Sequence, residues 1–163
     1  MASLVLHVDA HRTLKALQGM LDATANLTPM LQDIGEALLI LHQARFRAEQ
    51  SPDGMPWTAL RPWYRDSKTR NADKVLTLTG QLADTLRYQI QGQTLFFGTD
   101  RPYGAIHHFG GTISPKTAGA LNVGGRPVKK VVIPPRPWLG TSAEDGRTLL
   151  DIARQHLMSL SAS

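Results

Sequence analysis

The 163-residue chain contains no cysteine. Disulfides and thiolate metal sites are therefore excluded, and the absence agrees with folding in a reducing cytoplasm. Long apolar runs are missing as well. No stretch approaches the roughly 18 consecutive apolar residues of a membrane span, and Met1-Ala2-Ser3-Leu4 lacks the basic segment and apolar core of a signal peptide. Neither a membrane partner nor a signal peptide is expected. No Gly-x-Ser-x-Gly elbow, phosphate loop or dinucleotide fingerprint occurs, and Gly124-Gly125-Arg126 has the spacing of none of them. His107-His108 is the nearest approach to a metal site. Adjacent histidines point apart in a strand and lie about 100° apart on a helix, and no spacing joins His42 or His156 to them. No catalytic residue, cofactor, metal or small-molecule substrate is expected.

What is present suits one α+β domain over 1–163. A chain of this length can bury a core, and its hydrophobic content of 42% stands well above that of disordered chains. The net charge of +5 is unevenly placed. Residues 1–41 carry two basic and four acidic side chains. Residues 86–140 carry seven basic ones, including Lys116, Arg126, Lys129, Lys130 and Arg136, against Asp100 alone. A segment of that kind can face nucleic acid or an acidic protein surface, or serve only as a solvated face.

Along the chain, Leu4–Val8 reads as a short strand, and Asp9 can cap a helix over 13–22. Thr28 and Pro29 then open a long helix to about Ala48, with Leu31, Ile34, Leu38 and Leu41 as its apolar stripe. At 1.5 Å per residue it spans about 30 Å. Val75 to Leu86 suggests a short helix. The runs 86–90 and 94–97 around Gln91-Gly92-Gln93 give a β-hairpin signal. A helical turn is expected over 103–109, a long flexible loop over 112–128, and a strand over 129–133. Ser142 and Asp145 loosely match a capping box for a last helix carrying Leu149, Ile152 and Leu157. The expected architecture is a small antiparallel sheet packed by the long helix and the C-terminal helix.

Four phrases stand out: Ser51-Pro52-Asp53-Gly54-Met55-Pro56-Trp57, Leu78-Thr79-Gly80-Gln81-Leu82, Gly98-Thr99 with Tyr103 to Gly111, and Ile133-Pro134-Pro135-Arg136-Pro137-Trp138-Leu139-Gly140. Each joins turn residues to large apolar anchors, so each fixes backbone direction while an aromatic fills a pocket. The anchors are Trp57, Trp63, Gly80, Tyr103, His107 and Gly110, then Pro134, Arg136, Pro137 and Trp138. Trp63 and Tyr64 stand among Arg61, Arg65, Lys68 and Arg70, a pattern that can stack bases; interface or core anchoring is the favoured reading.

In order and spacing, these phrases resemble the virion morphogenesis, or tail completion, family of Mu-like and P2-like tailed bacteriophages, from about Leu31 to Leu150. The resemblance implies a structural protein of the head–tail neck or upper tail that works as a ring. It implies a hexamer matching a tail tube, assembled in the host cytoplasm and retained in the virion. The implied partners are further copies of the chain, other neck and tail proteins, and DNA passing through the lumen. Leu121 and Val123 are the expected subunit contacts within the 112–128 segment, with Lys116, Arg126, Lys129 and Lys130 beside them. The alternative is a basic DNA-binding accessory protein.

Overall fold

The computed structural model describes Gln18 and residues 26–117 and 119–161. The expected strand Leu4–Val8 lies outside the described residues, as does the 13–22 helix except at Gln18, which is helical. The fold is α+β, with helices in the N-terminal half and at the C-terminus around antiparallel strands.

Helix α1 spans Thr28–Ala48 and carries Pro29 in its first turn, where a missing N–H costs nothing. Leu27 is its N-cap, one residue before the expected Thr28. Its buried face is Leu31, Gly35, Leu38, His42, Arg45 and Phe46, so the expected stripe is rotated to include one glycine and two polar residues. Gly35 is required by close approach: a Cβ there would lie 2.6 Å from the Tyr88 ring. The helix ends at Glu49, in the left-handed region at φ 55°.

Strands β1 (Arg87–Gln91) and β2 (Thr94–Gly98) form the expected hairpin, with Gln91 opposite Thr94 and Gly92 at φ 59° in the turn. Exposure alternates along β1, and Tyr88 and Ile90 pair with Phe97 and Leu95 on the half-buried side that meets α1. This is the period-two pattern of a sheet with one face on the core.

Two short helices sit elsewhere: α2 (Pro62–Ser67) and α3 (Gln81–Asp84). The helix expected over Val75–Leu86 shrinks to α3, because polar side chains from outside it claim the preceding backbone. The Glu49 carboxylate accepts the Val75 N–H at 2.9 Å. The Lys68 ammonium donates to the carbonyls of Asn71, Lys74 and Thr77. Leu76 and Gly80 both take positive φ, which also stops a helix.

Helix α4 (Tyr103–Phe109) occupies the expected helical turn. Beyond it, the segment expected as one loop over 112–128 contains three strands. Strand β3 (Gly111–Ile113) pairs with β6 (Val131–Ile133), while β4 (Leu121–Val123) pairs with β5 (Arg126–Val128). Gly124 at φ 57° and Gly125 at φ 82° make the two-residue turn between β4 and β5, whose double positive φ suits glycine. The antiparallel pairing is thus divided into three two-stranded sheets. Together β3, β6 and the β4–β5 hairpin form an arm whose tip meets α2. A Cβ at Gly124 would collide with Ser67 Oγ at 2.2 Å.

Helix α5 (Ala143–Ser161) lies along α1. Ser142 and Asp145 form a reciprocal capping box: the Ser142 N–H donates to Asp145 Oδ2 at 2.6 Å, and the Asp145 N–H to Ser142 Oγ at 3.0 Å. Leu149, Ile152 and His156 are half-buried, whereas Leu157 is 38% exposed and leaves the packed face on which it was expected. The core gathers Phe46, Trp57, Val75, Leu82, Leu86 and Trp138.

Candidate functional site

The Pro-rich phrase after β6 passes through a corner where all four sequence phrases meet. Directed hydrogen bonds tie it to the first and third phrases, and Trp138 shares the apolar core with Leu82 of the second. Trp138 Nε1 donates to the Gly104 carbonyl at 2.9 Å, and Trp57 Nε1 donates to the Pro137 carbonyl at 2.9 Å. Arg136 Nε donates to the Thr58 carbonyl at 2.8 Å, and its backbone N–H to the His107 carbonyl at 2.9 Å. The backbone N–H groups of Trp138 and Leu139 both reach His108 Nδ1 at 3.3 Å. Extended Pro-rich backbone cannot satisfy its own polar groups, so these partners must come from elsewhere.

Glycines permit the close approach. Gly110 has φ 72°, and a Cβ there would meet Pro135 N at 2.7 Å and the Ile133 carbonyl at 2.9 Å. Gly80, at φ 84°, is the N-cap of α3, which carries the core residue Leu82. Pro134 lies half-buried just before the corner.

The two neighbouring histidines have separate surroundings, as their side-chain directions require. His108 accepts the Trp138 and Leu139 N–H groups and meets the Trp138 ring edge-on at 5.9 Å between centroids. His107 faces the groove described below, with Tyr103 edge-on at 6.1 Å. Burial, then the nearby Arg136 charge, pushes the His107 imidazole below its ordinary value. Among the described residues no three His, Asp or Glu side chains are grouped as metal ligands.

Behind the corner lies a polar cluster that the apolar pattern did not reveal. His42 is only 1% exposed. Its Nδ1–H donates to the Leu38 carbonyl at 2.7 Å, leaving Nε2 to accept from Arg45 Nη1 and the Gly140 N–H, both at 3.3 Å. Arg45 also bonds the Gly140 carbonyl and forms a buried ion pair with Asp145. The pair joins residues a hundred positions apart and ties α1 to the start of α5. Burial pushes the Asp145 carboxyl up. The Ser142 N–H and hydroxyl, with Arg45 and His42, outweigh that and hold it below its ordinary value.

His42 makes stability depend on pH. Burial lowers its pKa from 6.5 and outweighs the Leu38 hydrogen bond and the Asp145 charge, which raise it; the Arg45 charge also lowers it, and a proton on Nε2 would face two donors. The unfolded chain then binds more protons than the folded one below pH 6.5. The His42 contribution is complete above that pH and is lost as pH falls toward the lowered folded value. The melting temperature should drop between pH 7 and pH 5, and His42→Gln should flatten the profile. An equal slope in the variant would refute the assignment.

In front of the corner lies a groove of about 1310 Å³ between α2, residues 76–82, α4 and the arm. Leu60, Trp63, Leu78, Leu121, Val123 and Val132 supply apolar lining. Five cations line it: Arg61, Lys68, Arg126, Lys130 and Arg136. No acidic side chain lines it, among the described residues. Arg126 lies over the Trp63 ring, 5.7 Å from its centroid. Trp63 is half-buried here, whereas Trp57 is 6% and Trp138 3% exposed within the core. Leu121 and Val123 are half-buried toward the groove, while Lys116 and Lys129 are exposed outside its lining. Sequence reasoning overlooked one available signal here. Gly124-Gly125 between Val123 and Arg126 is a two-residue hairpin turn on its own terms.

This arrangement stitches a backbone and presents a surface. The sequence profile of the phage virion morphogenesis family matches residues 8–158. The chain belongs to that family. No curated protein and no solved structure matches it significantly. Membership supports a structural or assembly role in a phage and association with the virion, in place of enzymatic chemistry. Among the described residues no helix is long and apolar enough to cross a membrane. In this family member, the phrases that carried the resemblance are the segments that meet at one corner, beside the groove and arm.

Proposed function

We propose that this protein is a ring-forming subunit of the head–tail neck or upper tail, acting in tail completion and head–tail joining. One observation carries the reading: the arm borders a groove whose lining, among the described residues, joins apolar side chains to cations and contains no acid. Such a surface suits association, since apolar contact supplies affinity and charge supplies orientation. Other copies of the chain and other neck and tail proteins are the partners, with DNA passing through the lumen.

Deleting Lys116 to Gly125 tests the role of the arm. None of the core residues Phe46, Trp57, Val75, Leu82, Leu86 and Trp138 lies in that segment. The melting temperature should change little, while native mass spectrometry shows loss of the ring and particles accumulate as full heads beside unjoined tails. Normal assembly by the deleted chain would sink the reading.

A DNA-binding accessory role is the second reading, favoured by exposed Arg61, Arg126, Lys129 and Lys130. Duplex of unrelated sequence, titrated across a salt series, separates the two. A phosphate binder loses affinity steeply as log salt rises. An assembly subunit shows weak duplex binding outside its ring.

A further inference from the structure

We infer that the cationic groove receives the acidic face of α1 from a neighbouring copy of the chain, which makes the subunit contact head-to-tail. This inference rests on the ring reading and names the two surfaces that would meet.

The argument is one of complementarity within a single sequence. Among the described residues, the groove presents cations and apolar side chains with no acid in its lining. Two of its five cations are already occupied. Lys68 donates to three backbone carbonyls, and Arg136 to those of Thr58 and Ala59. Arg61, Arg126 and Lys130 are exposed and form none of the ion pairs found among the described residues.

Helix α1 has the opposite character. From Thr28 to Ala44 it contains no lysine or arginine. Asp33, Glu36 and Ile40 recur at helical spacing on its exposed side, and Ile40 is 64% exposed. Glu36 accepts a hydrogen bond from the Tyr88 hydroxyl at 2.8 Å, which steadies it while leaving its charge in place. On neighbouring α5, the Arg154 charge is met by Asp151 at 3.2 Å. The stripe thus offers two carboxylates and one large apolar side chain. The groove offers guanidinium and ammonium groups that form no ion pair among the described residues, with Arg126 over the Trp63 ring, around Leu60, Trp63 and Leu78.

No residue of α1 lines the groove, so one chain can present both surfaces at once. Contact between two different patches of identical subunits is heterologous, and it closes into a ring when the rotation between copies allows. Duplex DNA, with its bases already stacked, would meet the cations through its phosphates and leave the apolar floor unused. A self-complementary dimer would need the stripe of each copy to reach the groove of the other at once across a single two-fold axis.

Reciprocal charge reversal tests the inference, read by native mass spectrometry near 150 mM salt, where only charges within about 8 Å still interact strongly. Arg126→Glu with Lys130→Glu reverses the groove; Asp33→Lys with Glu36→Lys reverses the stripe. Each pair alone should lower the ring population at least tenfold with melting curves close to wild type. One chain carrying all four substitutions should recover the ring, and mixing the two reversed chains should give alternating assemblies. Rings that persist in either reversed chain, or no recovery in the fourfold variant, overturn the inference and leave the ring reading standing. A wild-type chain that stays monomeric removes both. Groove reversal that spares the ring but abolishes duplex DNA binding overturns it in favour of a nucleic-acid face.

Discussion

Trp138→Ala should give the largest loss of stability of any single aromatic substitution here. The side chain is 3% exposed within the core cluster, near Phe46 at 6.2 Å and His108 at 5.9 Å between ring centroids. Removing it leaves a cavity where the Pro-rich phrase crosses α4 and strips the Gly104 carbonyl of its Nε1–H donor. Gly104 itself sits against the indole, so the backbone on that side cannot collapse far without moving α4. Large-to-small changes of this kind cost about 3–5 kcal/mol, against a total stability of roughly 5–15 kcal/mol. For a chain of this size the melting temperature should fall on the order of 10 °C. Trp138→Phe, which keeps a ring but loses the donor, should fall in between. A melting curve unchanged by Trp138→Ala would show that the corner does not lock the fold.

Asp145→Ala should come close in magnitude by a different route. Arg45 and Asp145 have side chains only 7% and 9% exposed. Removing the carboxylate leaves a buried guanidinium with the Gly140 carbonyl as its remaining oxygen partner. Breaking such a pair from one side costs about 3–5 kcal/mol, because the remaining charge stays buried without its counter-ion. The same substitution removes one of the two hydrogen bonds of the α5 capping box, worth about 0.5–1.5 kcal/mol more. Removing both partners, Arg45→Met with Asp145→Ala, should restore part of the stability. Thermal melts of the single and double variants decide it. A double variant as unstable as Asp145→Ala would show that the unpaired charge is not the cause.

Both predictions rest on contacts that join distant parts of the chain, and that marks where the sequence stopped being informative. Helix α1, the β1–β2 hairpin and α5 were legible because their signals are local. An apolar stripe at helical spacing, alternation around Gly92, and Ser142 three residues before Asp145 each specify the element that contains them. The four phrases were legible for the same reason. Proline, glycine and tryptophan at fixed offsets imply a fixed backbone whatever surrounds it, and they carried the likeness to phage virion morphogenesis proteins.

Tertiary structure decided the rest. Val75–Leu86 has helical spacing, yet the Glu49 carboxylate and Lys68 ammonium bind its backbone from elsewhere, and only Gln81–Asp84 remains helical. The 112–128 segment has few apolar anchors, yet β3 finds β6 across it and β4–β5 settles its glycine turn against Ser67. His42 and Arg45 lie on the buried face of α1 although both carry polar groups. They are tolerated because Gly140 and Asp145 arrive about a hundred residues later to satisfy them. The two basic stretches that line the groove, around Trp63 and within 86–140, were visible in the sequence, but nothing in it joins them. The groove's cations come from separate stretches of the chain, and only the stitched corner brings them to one side. Local patterns thus set which backbone could form and which family the chain joins. The placement of charge on its surfaces depended on long-range hydrogen bonds and packing, whose partners no local pattern pairs.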